Sequence, residues 1–423
     1  MNIAMLSYHT CPLATLGGKD TGGMNVYVAE LTRYLGMLGI HVDVFTRSQD
    51  DHVPHVMHNL GYGNRVVHIA AGPEVPLPKP ELPAYIPRFA EGIQHFAHEK
   101  QITYDLIHSH YWMSGVAAEA LKADWHVPVV QMFHTLGMMK NRIAQSPEEM
   151  EGDYRIQGEI EVMGRVDQII AATQAEKAQL EFLYGVKPQK ITVIPPGVNT
   201  SRFYPIPQDE AKDVIGVPRE NAMLLFVGRI EALKGIDILL QAIALMKQQG
   251  IFERHPHHLV IIGGDPDGAT HPPSAEMARI KALSIELGLG DLVIFLGKRD
   301  QETLPYYYSA AEALIMPSHY ESFGMVALEA MACGTPVVAS QIGGLAFLVQ
   351  DGLTGYVVPY GEAPLLAEKL TRLIMDPPLR REMGINAAKY ALNYRWEEIT
   401  TQIVDLYKRV QAAEPPIADL ART

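Results

Sequence analysis

Two glutamates with seven residues between them stand in the run Glu321-Ser322-Phe323-Gly324-Met325-Val326-Ala327-Leu328-Glu329, just beyond the apolar segment Ala313-Leu314-Ile315-Met316-Pro317. A strand ending at Met316, a loop carrying Glu321 and a short helix carrying Glu329 follow from that pattern, with Gly334 and Pro336 stopping the helix. Were all eight steps helical, the carboxylates would lie roughly 12 Å apart along the axis. Carboxylates accept hydrogen bonds from sugar and ribose hydroxyls, and free amides at a helix start near Phe323 and Gly324 suit a diphosphate between them. The competing reading makes Glu321 a helix cap and Glu329 a solvated helix residue. The stretch Phe226-Val227-Gly228-Arg229-Ile230-Glu231-Ala232-Leu233-Lys234-Gly235 supplies the opposite charge: a strand end, a glycine, then two cations able to flank a pyrophosphate and stabilise its departure. Alone, Arg229 and Lys234 read as surface charges; beside the paired glutamates they read as a site.

The elements that must position these groups alternate in type. Met1 to Ser7 is a strand-like run, followed by the glycine-rich Gly17-Gly18-Lys19-Asp20-Thr21-Gly22-Gly23 and a helix through Val26, Ala29, Leu31, Leu35 and Leu38 that Gly39 ends. A strand at His41 to Phe45 completes one βαβ unit. The alternation continues with strand Asp105 to His108, a helix around Gly115 to Lys122 and strand Val127 to Phe133. Val75 to Pro80, with three prolines, reads as an extended loop. Strand Ile191 to Ile194 runs into Pro195-Pro196-Gly197 and a segment without period up to about Gln208, where we place the boundary between domains 1–200 and 201–395. Strands at Met223 to Val227, Leu259 to Ile262, Val293 to Leu296 and Ala313 to Met316, with a helix from Ile236 to Gln249, give a second doubly wound sheet. The fold class is therefore α/β, with two Rossmann-like parallel-sheet domains. Facing each other across a cleft, they would point their strand-end loops into one crevice.

Composition narrows the function. A chain of 423 residues with 48% hydrophobic and 20% charged residues exceeds one ordinary core. No signal peptide and no apolar run of roughly 20 residues are legible, which points to the cytoplasm and against integral membrane association. Cys11 and Cys333 have no spacing of a zinc site or disulfide framework. A formal charge of −13 opposes nucleic acid as a partner. An assembly of identical chains is left open.

These motifs resemble the retaining family-4 glycosyltransferases of GT-B fold, and the resemblance runs from the first strand to Trp396, the start of a helix at about 396–412 that completes the N-terminal domain. It implies a nucleotide-sugar donor, expected to be a UDP-sugar, with no cofactor. Glu321 would meet the hexose, Glu329 the ribose, and Arg229 with Lys234 the diphosphate; the amides at Phe323 and Gly324 and the loop Gly22-Gly23 would approach the phosphates. His134, in Met132-Phe133-His134-Thr135, matches the family histidine beside the transferred sugar. His134, Glu321, Arg229 and Lys234 are thus the expected catalytic set. Within the family, Asp20 to Val28 and Tyr104 to Trp112 are most similar to enzymes with phosphorylated acceptors, inositol-phosphate N-acetylglucosaminyltransferase first and sucrose-phosphate synthase second. The residues matching the acceptor-phosphate site are Lys79, Tyr111, Thr135 and Arg155, with Asn25 toward the acceptor. Separately, Lys79 reads as a loop charge and Arg155 as a helix-surface residue. Met24 stands where sucrose-forming enzymes usually have glutamine.

Two patterns look like metal sites. Asp265-Pro266-Asp267 has the spacing of a metal-holding carboxylate pair but sits in a turn, and His108-Ser109-His110 shows no third ligand, so we expect no catalytic metal. By resemblance, the reaction retains the anomeric configuration without an enzyme nucleophile, through positioning and electrostatic stabilisation of the leaving diphosphate. The competing readings are an unphosphorylated sugar or lipid acceptor, a phosphorylase or epimerase, and a non-catalytic sugar-nucleotide sensor.

Overall fold

The structure, a computed structural model, describes residues 1–14, 21–144, 147–264 and 274–413. Gly17 to Asp20 of the glycine-rich stretch and the Asp265-Pro266-Asp267 triplet lie outside them. The described chain divides into two compact units: residues 1–14, 24–195 and 396–413 form the first, and residues 21–23 and 196–395 the second.

The first unit holds strands β1 (Asn2–Leu6), β2 (His41–Arg47), β3 (Val56–Met57), β4 (Arg65–Ile69), β5 (Leu106–His110), β6 (Val129–Met132), β7 (Gln168–Ala171) and β8 (Ile191–Val193), in the order β3-β4-β2-β1-β5-β6-β7-β8. All pairings are parallel except β3 with β4 at the edge. Residues 3–6 are buried on both faces, as a sheet covered by helices on both sides requires. The chain winds from β1 toward β2 and β4, then returns to lay down β5 through β8 on the other side, so the topological switch falls between β1 and β5. The helix Gly23–Met37 starts three residues before its first expected apolar contact at Val26, and the expected loop at Val75 to Pro80 tightens into a 3₁₀ turn from Lys79.

The helix Trp396–Ala413 belongs to this first unit and buries Trp396, Ile399, Ile403, Leu406, Tyr407 and Val410 at helical spacing. The Trp396 ring meets Tyr27 edge-on at 5.3 Å and stacks on Tyr34 at 6.3 Å. Each such buried side chain contributes about 1.5–3 kcal/mol.

In the second unit, β9 (Ala222–Val227), β10 (His257–Ile262), β11 (Val293–Gly297), β12 (Ala313–Met316), β13 (Val337–Ser340) and β14 (Gly355–Val358) form an all-parallel sheet in the order β11-β10-β9-β12-β13-β14. Its switch point lies between β9 and β12. The loops leaving those two strands are the ones that carry Arg229, Lys234 and Glu321. Among the described residues, no helix is long and apolar enough to cross a membrane.

Candidate active site

In the first unit the loops after β1, β5 and β6 carry chemistry. Tyr111, directly after β5, has φ 70° and ψ 155°, a conformation nearly confined to glycine and costing about 1–3 kcal/mol. Its neighbours hold it there: Tyr111 N donates to Met132 O at 2.8 Å, and its carbonyl accepts from Gly115 N and Gln131 Nε2, each at 3.2 Å. The strain places the phenol ring under the Arg155 guanidinium, 5.1 Å away, and beside the His9 ring at 4.5 Å. Burial pushes the Tyr111 hydroxyl up to about 12, so it remains a donor at neutral pH.

Arg155 is buried, which overturns its reading as a helix-surface residue. Its Nη2 reaches Thr135 O at 3.1 Å and Thr135 Oγ1 at 3.0 Å, its Nε reaches Glu159 at 2.9 Å and its Nη1 Glu151 at 2.6 Å. Burial works against its charge, but Tyr111, Glu159 and Glu151 outweigh it and hold its pKa above the ordinary arginine value. Glu151 also receives Lys140 at 2.5 Å, and the charge of Lys79 is felt at Glu151, Tyr154 and His9. Burial, reinforced by the Lys79, His134 and Arg155 charges, pushes His9 down to about 3. Tyr111, Thr135 and Arg155 are therefore brought together, with Lys79 within electrostatic range of Glu151 and His9, and with His9, Lys140, Glu151 and Glu159 as members that sequence reasoning missed. The feature that could have flagged His9 is its place in the loop after β1, at the switch point.

His134 follows β6 with φ 62°, centred in a γ-turn that Thr135 N closes on Phe133 O at 2.7 Å. Its Nε2 lies 3.0 Å from Nδ1 of His110, so a third imidazole does stand near the His108 and His110 pair. Among the described residues, however, the only three potential ligand groups with atoms within 4.8 Å of one another are Asp50, Asp51 and His52, all exposed. Asn25 is buried, and its amide donates to Thr10 Oγ1 and Cys11 O, both at 2.7 Å. It clamps the loop after β1, with both N–H groups engaged.

In the second unit Lys234 Nζ donates to Glu321 Oε2 at 2.7 Å, joining the loop after β9 to the loop after β12. Arg229 pairs with Glu231 at 2.6 Å. The helix that carries Glu329 is Met325–Ala332, so Glu321 lies outside it and the all-helical separation of the glutamates does not hold. Gly324 begins the helix with φ 104°, and the Phe323 ring packs against Tyr394 at 5.8 Å, which leaves backbone rather than the ring to face a ligand. Glu329 is buried and accepts from Tyr308 Oη at 2.9 Å; it is not a solvated helix residue.

Gly343 and Gly344 seat the glutamate loop from behind. Gly344 N donates to Glu321 O at 3.1 Å, and a Cβ on Gly343, at φ 44°, would come 2.0 Å from that same carbonyl. Sequence reasoning passed over this pair, although two adjacent glycines after a strand are a readable sign of close backbone approach. Gly22 and Gly23 differ: a Cβ on either would meet its nearest neighbour at 3.8 or 3.4 Å, ordinary contact, and neither has a positive φ. Among the described residues, nothing demands glycine at those two positions.

Residues 21–202 match the family described as Glycosyltransferase Family 4, and residues 207–390 match Glycosyl transferases group 1. A D-inositol 3-phosphate glycosyltransferase of Acidothermus cellulolyticus is 40% identical over 407 residues, covering 96% of this chain and 90% of that protein. The chain belongs to glycosyltransferase family 4. A second D-inositol 3-phosphate glycosyltransferase, of Kribbella flavida, is 40% identical over 398 residues, 93% of this chain and 92% of that one. Among solved structures, sucrose-phosphate synthase from Thermosynechococcus elongatus superposes with a TM-score of 0.89 at 34% identity, over 98% of this chain and 100% of that chain. Anabaena HepE in complex with UDP and glucose matches with a TM-score of 0.74 at 21% identity, over 97% and 100%, and speaks to the fold alone. This glycosyltransferase thus has the GT-B fold and is an enzyme, which removes the sensor reading.

Proposed function

We propose that this enzyme transfers a hexosyl group, with retention, from UDP-glucose or UDP-N-acetylglucosamine to a small phosphorylated acceptor, fructose 6-phosphate or inositol 3-phosphate. The observation that supports the acceptor class is the gathering of Tyr111, Thr135 and Arg155, which Glu151 joins to Lys140, with the charge of Lys79 within reach of Glu151. A phosphate dianion would replace Glu151 as the partner of Lys140 and Arg155 and accept from the Thr135 and Tyr111 hydroxyls. The relatives named for inositol 3-phosphate and for sucrose phosphate agree with a phosphorylated acceptor.

On this reading Glu329 holds the ribose hydroxyls, Glu321 the hexose, and Arg229 with Lys234 the diphosphate, aided by the amides at Phe323 and Gly324. Gly22 and Gly23 keep clear of side chains the space where the phosphates approach. The acceptor hydroxyl attacks from the face the diphosphate leaves, the β-phosphate takes its proton, and the protein contributes placement and fixed charge. The cycle needs no cofactor and no metal. His134 lines the sugar side.

UDP release with each donor and each acceptor, and with the unphosphorylated acceptors, tests the proposal. Release that requires the phosphate supports it; equal release without the phosphate replaces it with the second reading. That second reading, an unphosphorylated acceptor, is favoured by Glu151, whose carboxylate already occupies Lys140 and Arg155. Lys79→Ala separates the two further: the KM for a phosphorylated acceptor is expected to rise roughly 10-fold, the loss of one charge-assisted contact, with the donor KM unchanged. Glu329→Gln keeps a partner for Tyr308 but places an amide against the ribose hydroxyls, and is expected to raise the donor KM by roughly 10-fold in the same assay.

A further inference from the structure

His110 has no part in the reading above, yet it is the residue that His134 touches. It is fully buried at the end of β5 and lies opposite Met132 in the β5–β6 ladder, two residues before His134 in the loop that leaves β6. The ring centres of His110 and His134 are 5.2 Å apart, with His110 Nδ1 at 3.0 Å from His134 Nε2. Behind His110 stands His108, with ring centres 4.2 Å apart, itself held by Tyr407 Oη at 2.7 Å from its Nδ1. Tyr27 meets both His110 and His134 edge-on, at 5.5 and 5.3 Å. The remaining nitrogen of His110, Nε2, is buried with no hydrogen-bond partner among the described residues.

Burial keeps both imidazoles neutral at physiological pH. A contact between two neutral rings holds a single proton, and there are two ways to place it. If His134 donates from Nε2, then Nδ1 of His110 is the acceptor and the proton of His110 must sit on its Nε2, a buried N–H with no acceptor. If His110 donates from Nδ1, the unpartnered Nε2 is only a lone pair. An orphaned buried donor is the rarer and costlier of the two.

We infer that His110 is a positioning residue: its Nδ1–H donates to Nε2 of His134, fixes the ring and locks His134 in the Nδ1–H tautomer. His134 then offers the transferred sugar a donor at Nδ1, directed at a hydroxyl oxygen, and cannot act there as an acceptor. The inference rests on the proposed placement of His134 at the sugar.

Long-range ¹H–¹⁵N correlation on the full-length, ¹⁵N-histidine-labelled enzyme reads the tautomer directly, the His134 ring being assigned by its disappearance in His134→Gln. A pyridine-like Nε2 and pyrrole-like Nδ1 are expected; the reverse overturns the inference, and this measurement decides even if a His110 variant does not fold. Kinetically, His110→Leu is expected to lower kcat at least roughly 10-fold with the donor KM within about 2-fold. His110→Asn, whose side-chain N–H can take the place of Nδ1–H, is expected to recover kcat to within about 3-fold of the wild type. Equal losses in the two variants, or none in His110→Leu, overturn the inference. Full activity in His134→Ala would instead strike the placement of His134 at the sugar, which separates the two failures.

Discussion

Lys234→Ala is expected to lower kcat by about 10²–10³-fold while leaving the protein folded, the magnitude typical of removing one fixed charge or donor from a developing anion. Lys234 and Glu321 form the ion pair that ties the loops of adjacent strands β9 and β12 at the switch point of their sheet. Their side chains are 18% and 17% exposed, so water screens the pair in part and its loss costs roughly 0–1 kcal/mol of stability. A catalytic collapse with a nearly unchanged melting temperature is therefore the signature of a lysine that works on the leaving diphosphate. UDP release at saturating donor and acceptor, read beside thermal unfolding, makes the comparison. An unchanged kcat would remove Lys234 from the reaction. Lys234→Arg should recover only part of the rate, since a planar fork replaces a compact charge.

Arg155→Met should instead show the largest stability loss of any single change considered, beside its loss of acceptor binding. It strands Glu159, which is fully buried, and deprives Glu151 of one of its two cations. Breaking such a pair costs about 3–5 kcal/mol, and the melting midpoint should fall by roughly 6–20 °C. Adding Glu159→Leu to Arg155→Met removes the stranded charge, although Gly137 N and Tyr184 Oη then lose their acceptor. The double variant is expected to unfold at a higher temperature than Arg155→Met alone. If the two melt together, the charge on Glu159 is not what Arg155 balances.

The parts of the site legible in sequence were those written in contiguous residues. Glu321 to Glu329 and Phe226 to Gly235 each carry their own strand end, turn and helix start, so their chemistry and local structure could be read together. Partners brought in from elsewhere could not. The competing reading of Glu329 as solvated falls only when Tyr308, on another helix, is placed against it. Glu151, Arg155 and Glu159 follow one another at intervals of four, the pattern of solvated ion pairs on an exposed helix face, and only tertiary packing turns that face inward. The alternation of strands and helices likewise announced two parallel sheets. The antiparallel β3 escaped because two residues give no period, and β4, β7, β13 and β14 because short apolar runs do not separate strand from helix.

One feature of the first unit bears on how the protein is made. His108 leans on Tyr407, 299 residues later in the chain, and Tyr27 and Tyr34 on Trp396. At about 5–20 residues per second, a ribosome delivers Tyr407 roughly 15–60 s after His108. For that interval the first sheet must wait with Tyr27, Tyr34 and the histidine row uncovered by their helix, while the entire second sheet emerges. The unit that begins first is thus completed only after the second sheet has emerged, and the aromatic surface under Trp396 stays open until then.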